Sequence, residues 1–117
     1  MAAPNLISAT TITGKTAVQA VGTSATAIIT NSAASGKTMK INALYLSNVD
    51  GTDNTGVDVD IYRSTTAYRV LSGVVVAAKT TIDVISKPIY LEEGDSLRLT
   101  AAVASDIEAV CSYEEIS

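Results

Sequence analysis

Two Gly-Lys-Thr triplets are the segments of this sequence that come closest to a motif for phosphate chemistry. They stand at Gly14-Lys15-Thr16 and Gly36-Lys37-Thr38. A phosphate-binding loop needs a further glycine five positions before the Gly-Lys pair, so that backbone N–H groups can surround the phosphates. Those positions hold Ala9 and Asn31, and neither triplet precedes a helical pattern. We interpret both triplets as glycine turns that open a strand and carry a solvated lysine.

A loop rich in Asp and Asn is the candidate for a cation site. Its oxygen-bearing side chains are Asn48, Asp50, Asp53 and Asn54. Hard cations such as Ca²⁺ bind oxygen ligands, and Asp-rich loops often supply them. The spacing departs from the EF-hand pattern because the closing Glu is absent. Asp and Asn are also ordinary turn residues, so we favour a turn over a cation site and predict no metal or other cofactor.

Paired carboxylates could act as acid and base in glycoside hydrolysis. The neighbours in Glu92-Glu93 and in Glu114-Glu115 point to opposite faces of an extended chain. Asp58 and Asp60 share a face, which the alternating pattern predicts to be the solvent face of an amphipathic strand. We therefore predict surface charges at these positions and no catalytic pair.

The sequence contains no histidine and a single cysteine, Cys111. Histidine is the side chain that exchanges protons near neutral pH, so Ser–His and Cys–His nucleophiles and histidine metal sites are excluded. Cys111 lies on the apolar side of an alternating strand, where a free cysteine behaves as a small hydrophobe. We predict that the protein is not an enzyme and has no catalytic residues.

Length and charge exclude further classes of protein. The 117 residues suit one domain. The net charge is −4 and the eight Lys and Arg are scattered, whereas nucleic-acid binding needs a basic patch. The longest apolar run, residues 74–78, is too short to cross a bilayer. The first residues lack the basic region and apolar stretch of a secretory signal. We predict no nucleic-acid or membrane partner.

Short alternating segments separated by turn residues run through the chain. Eight to ten strands at such spacing predict an all-β fold, a single antiparallel β-sandwich of the jelly-roll or Ig-like type, with a small barrel as the alternative. Residues 1–10 are predicted to form an extended N-terminal arm, and residues 11–117 the sandwich domain. The predicted strands are 15–21, 25–30, Thr38–Asn48, 57–63, 67–71, 74–78, 80–86, Ile89–Leu91, Ser96–Ala101 and 107–113.

The strand Thr38–Asn48 is apolar on both faces over its second half. One face becomes apolar at Leu44 and Leu46. The other face carries Met39, Ile41, Ala43 and Tyr45. We therefore predict that this end of the strand is covered on both sides.

Five residues are candidates for contacts with other chains. The arm carries Pro4, Leu6 and Ile7. Docking Leu6 and Ile7 on a neighbouring subunit would remove apolar surface from water, and a frayed terminus is the alternative. Tyr62 and Tyr68 are the tyrosines predicted to be exposed, and exposed tyrosine is common at protein interfaces.

Several strand-and-turn segments resemble small β-sandwich virion proteins of tailed bacteriophages, of the capsid cement or decoration type known from cyanophages and marine phages. These segments are residues 40–51 (KINALYLSNVDG), 57–62 (VDVDIY), 88–98 (PIYLEEGDSLR) and the ending 109–117 (AVCSYEEIS). The resemblance implies a non-enzymatic structural protein that binds the major capsid protein and copies of itself, with a trimer favoured. It implies a place on the outer surface of the virion, reached after assembly in the host cytoplasm.

Two alternatives remain open. A virion protein of the neck, tail or fibre would have the same kind of sequence and a lower copy number. From another class, a carbohydrate-binding module shares the sandwich fold but usually carries an exposed aromatic platform. This chain has five scattered tyrosines and neither Phe nor Trp.

Overall fold

Two antiparallel β-sheets packed face to face form the protein, as predicted. The computed structural model describes residues 4–117, so residues 1–3 of the predicted arm lie outside the described residues. Leu6–Ser8 forms one turn of 3-10 helix, capped by the Asn5 side chain. The strands are β1 (Ile12–Val21), β2 (Thr26–Thr30), β3 (Thr38–Asn48), β4 (Thr55–Arg63), β5 (Thr66–Val76), β6 (Thr81–Asp83), β7 (Ile89–Leu91), β8 (Ser96–Ala101) and β9 (Ile107–Ile116).

The strand pairing is nested around the β4–β5 hairpin. Strand β3 pairs with β6 and β7 at its two ends, β2 pairs with β8, and β1 pairs with β9. One sheet (sheet A) has the order β1-β9-β3 with β6 and β7 at its edge, and the other (sheet B) has the order β2-β8-β4-β5. A jelly roll is a long antiparallel hairpin wrapped into two layers of four strands each. Here β6 and β7 together take the place of one edge strand of sheet A. The pairing therefore selects the jelly roll from the predicted alternatives.

The core between the sheets is aliphatic. Strand β8 shows how it forms, because Leu97, Leu99 and Ala101 alternate inward as predicted and are buried. No tyrosine belongs to the buried core within residues 4–117. The largest fully buried apolar side chains are Ile41, Leu44, Leu46, Leu91, Leu97, Leu99 and Ile107. Burial stabilises by roughly 25 cal/mol per Å² of apolar surface, so these small side chains contribute less per residue than aromatic ones would.

A β-bulge at Asn42 reverses the faces of β3. The register to β9 shifts between Ile41 and Ala43. A shift of one residue moves every following side chain to the other face, so the inward side chains change from the parity of Ile41 to that of Leu44. The predicted cover on both sides is therefore wrong, and Tyr45 is 42% exposed.

Strand β1 begins earlier than predicted and contains Gly14. Thr11 and Ser117 exchange two backbone hydrogen bonds of 2.9 Å each. These bonds continue the ladder between β1 and β9 beyond Ile12, and Gly14 pairs with Glu114 inside it. The predicted turn at Gly14 is therefore wrong, whereas Gly36 does lie in the loop before β3, with φ at 71°.

Residues 67–71 and 74–78 belong largely to one strand, β5, whose register to β4 is interrupted. Gly73 has φ at 65°, the left-handed region that favours glycine. Its N–H donates a hydrogen bond of 2.6 Å to Asp58 Oδ1. Ser72 and Gly73 therefore form a bulge that keeps the two predicted segments in one strand.

Candidate functional site

Three of the five predicted interface residues are exposed, and Pro4 and Tyr62 are half-buried. Ile7 is 97% exposed and Leu6 is 47% exposed, while Pro4 is half-buried. Tyr68 is exposed as predicted. Tyr62 is half-buried because the Arg98 guanidinium carbon lies 4.0 Å from the centre of its ring, a cation–π contact.

Asp60 is buried, which contradicts the prediction that it lies on a solvent face. It points away from the core, as the alternation predicts, but it is 1% exposed. Arg98 Nε donates to Asp60 Oδ1 at 2.9 Å, and Arg69 Nη1 lies 3.8 Å from Oδ2. The alternating sequence pattern correctly predicted that Asp60 lies on the outer face of β4. It could not reveal that β8 and β5 place arginines over this carboxylate. Asp60 is a paired structural charge and offers no free base.

Hydrogen bonds within the candidate cation loop, and from the loop to the end of β5, hold it closed. Asn48 is buried, and its Nδ2 donates to the carbonyl oxygens of Asp53 and Val76 at 2.9 Å each. Its Oδ1 accepts from Asp50 N at 3.0 Å. Asn54 Oδ1 accepts from Ala78 N at 3.2 Å. Backbone N–H groups donate to the amide oxygens of Asn48 and Asn54, as they do in Asx turns.

A second buried asparagine, Asn31, closes the loop between β2 and β3 in the same way. Its Nδ2 donates to the carbonyl oxygens of Lys37 and Leu91, at 2.9 and 3.0 Å. Its Oδ1 accepts from Ser35 Oγ at 2.6 Å. Sequence reasoning missed this role, because Asn31 lies in a run of loop-forming residues that carries no sign of burial.

Both lysines of the Gly-Lys-Thr triplets bind the same carboxylate. Lys15 Nζ lies 3.0 Å from Glu115 Oε2, and Lys37 Nζ lies 2.8 Å from Oε1. Hydrogen bonds from Lys37 and then Lys15 hold the pKa of Glu115 below its usual value. The lysines predicted to be solvated thus tie β9 to β1 and to the loop before β3.

Arg63 and Asp95 form the closest charged pair of the described residues. Arg63 Nε and Nη2 donate to the two Asp95 oxygens at 2.7 and 2.5 Å. Asp95 also accepts from the backbone N–H of Glu92 at 2.9 Å, which closes the turn before β8. The hydrogen bond from Arg63 is the largest cause that lowers the pKa of Asp95, while burial opposes it.

Cys111 lies in the core, as predicted, and is fully buried. Burial raises the pKa of its thiol to about 12. The thiolate is the reactive form of cysteine, so burial disfavours that form and the side chain contributes to packing.

Three apolar side chains form a continuous row on the outer face of sheet A. Val110 on β9 is opposite Val18 on β1 and opposite Tyr45 on β3. Their exposed fractions are 38%, 74% and 42%, in that order. Side chains opposite each other on one face lie roughly 4.5–5.5 Å apart. We term Val18, Val110 and Tyr45 the outer row.

Most side chains around the outer row are small and uncharged, and Asp83 of β6 lies opposite Tyr45 at its end. On one side the register places Thr16, Ser112 and Ala43 across the same three strands, and on the other side it places Ala20, Glu108 and Ser47. Glu108 is the one charge among these six positions. Because few charges need to be desolvated, this face of sheet A suits contact with another protein.

The described surface offers little for small-molecule chemistry. Its depressions hold about 340, 270 and 260 Å³. The depression of about 340 Å³ lies beside the outer row, where Glu108 is its one charged lining residue. Residues 4–117 contain no group of three Cys, Asp or Glu side chains placed to hold a metal ion. Across the same residues, no helix combines the length and hydropathy of a membrane span.

Comparison with known proteins extends the description of the fold. No protein-family model and no curated protein matches the chain. Among solved structures, the chain is similar to one from Bacillus endospore appendages, which are described as a family of disulfide-linked pili. The TM-score is 0.55 at 14% identity, over 98% of this chain and 95% of that chain. The two chains share the sandwich fold over nearly their whole length.

Proposed function

We propose that this chain is a non-enzymatic structural subunit of a tailed-phage particle, a cement or decoration protein that binds the major capsid protein and copies of itself. The outer row is the observation that best supports assembly with other proteins. It exposes Val18, Val110 and Tyr45 side by side on a face with few charges. Contiguous exposed apolar surface marks sites of protein contact. The sequence resemblance of residues 40–51, 57–62 and 88–98 supports a phage particle as the place of assembly.

The N-terminal segment provides a second apolar contact. Leu6 and Ile7 are exposed next to each other in the 3-10 turn that precedes β1. An exposed isoleucine gains free energy when a neighbouring subunit covers it, roughly 1.5–3 kcal/mol for complete burial. Two separate apolar contacts would let one subunit bind both the capsid surface and another copy of itself.

A filament or tail subunit is the second candidate function. The shared fold with the chain of the endospore pili favours it. Those pili are described as disulfide-linked, whereas the one cysteine of this chain, Cys111, is fully buried. A filament of this chain would therefore be held together by non-covalent contacts.

A carbohydrate-binding module is the candidate from another class. Tyr45 and Tyr90 are both exposed, but they lie at different heights along β3. Tyr45 itself is opposite Asp83, whereas Tyr90 is opposite Lys40, near the start of β3. They do not form one stacking platform. Binding to a glycan array at micromolar strength, abolished by Tyr45→Ala, would favour this candidate over assembly.

Quantitative mass spectrometry of purified phage particles tests the proposal. A cement or decoration protein is present in hundreds of copies, because the capsid lattice repeats its binding site. A protein of the neck or tail is present in about a dozen copies, as expected for a single ring. Absence of the chain from particles that contain the major capsid protein would contradict both placements.

A further inference from the structure

Within residues 4–117, strand β1 forms a long and regular edge of sheet A. Proteins guard exposed strand edges with short strands, bulges, proline or charges, because free N–H and C=O groups pair with other chains. The other edges of the described residues follow this rule, since β6 and β7 have three residues each and the registers of β2 and β5 are interrupted. Strand β1 has ten residues in unbroken register with β9.

The alternation of hydrogen-bonded pairs between β1 and β9 identifies which backbone groups of β1 are not bonded to β9. Thr11 and Ser117 exchange both of their backbone hydrogen bonds. Bonded and non-bonded pairs alternate along an antiparallel ladder, so the odd-numbered residues of β1 bond to β9. The free N–H and C=O groups therefore belong to the even-numbered residues, which are Ile12, Gly14, Thr16, Val18 and Ala20.

The outer face of β1 carries no charged side chain. The five even-numbered residues are all uncharged. The one charged residue of the strand, Lys15, has odd parity and is held by Glu115 at 3.0 Å. A second strand that approaches the edge therefore meets neither a like charge nor a charge to desolvate on the outer face.

Gly14 is not required by the folded chain itself. A Cβ added there would meet nothing within 4 Å. Glycine inside a strand is destabilising by roughly 0.5–1 kcal/mol relative to alanine. It often marks a position where another backbone comes close. An approaching strand is the feature that would make a missing side chain at Gly14 useful.

We infer that β1 pairs antiparallel with β1 of a second copy across a two-fold axis, which joins two copies of sheet A into one continuous sheet. This inference rests on the assembly role proposed above. The strand is complementary to itself when Thr16 lies opposite the partner's Thr16. Val18 then lies opposite the partner's Gly14, and Ile12 lies opposite the partner's Ala20. Each larger apolar side chain faces a small residue, and the two Lys15 side chains are diagonal neighbours that are each paired with Glu115 of their own chain.

The paired edge is continuous with the outer row, because Val18 belongs to both. Each outer row would end beside the Gly14 of the partner. A two-fold contact makes a dimer, so the trimer that the sequence resemblance implies would need a separate interface. One strand pair is small beside a standard interface of about 1,600 Å². The contact is therefore expected at high protein concentration and at the high local concentration of an assembled particle.

Disulfide capture of the full chain tests this register. In the inferred dimer, Thr16 and the partner's Thr16 form a bonded pair with Cα atoms roughly 5.5 Å apart, within the range that a disulfide spans. Thr16→Cys should form a covalent dimer under mild oxidation. Ala20→Cys is the matched control on the same edge. Two Ala20 positions would be roughly 27 Å apart. The Ala20→Cys variant should therefore yield at most about one tenth as much covalent dimer as Thr16→Cys.

A mixed experiment confirms the register. Ile12→Cys protein combined with size-tagged Ala20→Cys protein should form the mixed dimer in preference to either homodimer. Circular dichroism of each variant establishes that it is folded. Equal dimer yields from Thr16→Cys and Ala20→Cys, or no mixed dimer, would overturn the inference.

Thr16→Pro supplies an independent test without a crosslink. Proline at this position removes a free N–H and no bond to β9, the setting in which an edge strand tolerates proline. The variant should fold and should lose self-association in sedimentation at high concentration. Self-association equal to that of the natural chain would overturn the inference. The presence of the chain in phage particles is measured separately, so the inference can fail while the proposed function stands.

Discussion

Single buried side chains hold the loops of this protein in place, and Asn48 is the clearest case. Removing its amide leaves the carbonyl oxygens of Asp53 and Val76 without their donor. Unpaired buried polar groups cost roughly 1–3 kcal/mol each. Asn48→Ala should therefore lower the free energy of unfolding by about 2–3 kcal/mol in urea denaturation. Asn54→Ala, which removes one exposed hydrogen bond, should change it by less than about 1 kcal/mol. Equal effects of the two variants would contradict the assigned role of Asn48.

Two carboxylates couple the stability of the fold to acid. Hydrogen bonds from Arg63 lower the pKa of Asp95 from 3.8, and Lys37 and Lys15 lower the pKa of Glu115 from 4.5. A group with a lowered pKa stabilises the folded state above its unfolded pKa, and this contribution is lost as the pH falls through the folded pKa. The free energy of unfolding should therefore decrease as the pH falls below these two values. Asp95→Asn should flatten this decrease, as measured by urea denaturation across the acid range. An unchanged slope would contradict the coupling through Asp95.

At the scale of strands, the bulge at Asn42 decides which side chains of β3 face the core. Deleting Asn42 removes the unpaired residue and restores regular alternation after Ile41, so Leu44 should stay inward and Ala43 and Tyr45 outward. We expect the deletion variant to fold and to unfold cooperatively in thermal denaturation. Asn42→Ala is the matched control. It keeps the register and changes an exposed side chain, so it should shift the free energy of unfolding by about 0.5 kcal/mol or less. A deletion variant that no longer unfolds cooperatively, while this control does, would contradict the assignment of Asn42 as the unpaired residue of the bulge.

Local patterns predict strands well where a strand alternates between clear turns. The bounds of Thr38–Asn48, Ile89–Leu91 and Ser96–Ala101 were predicted as observed. The faces after Asn42 and the burial of Asp60 were not, because a bulge and the arginines of neighbouring strands depend on tertiary pairing. The outer row was missed for the same reason. Its residues come from three strands distant in sequence, and only the nested pairing makes them neighbours.

Across the whole molecule, the outer face of sheet A is the surface on which assembly should depend. Val110 lies at the centre of the outer row. Val110→Lys should weaken binding of the purified chain to particles depleted of it by roughly tenfold or more, because a truncated or charged interface residue costs more than 1 kcal/mol. Val75→Lys is the matched control, since Val75 is 61% exposed on β5 of the other sheet. Co-sedimentation with the particles measures both. Equal loss of binding in the two variants would contradict the assignment of this face.

Electron cryomicroscopy of the intact particle tests the central claim most directly, because it locates every copy of the chain. The account predicts jelly-roll densities repeated over the outer surface of the head, with the outer face of sheet A covered by another protein. Particles whose reconstruction accounts for all surface density without this chain would contradict the account. So would a chain found in place with Val18, Val110 and Tyr45 all facing solvent.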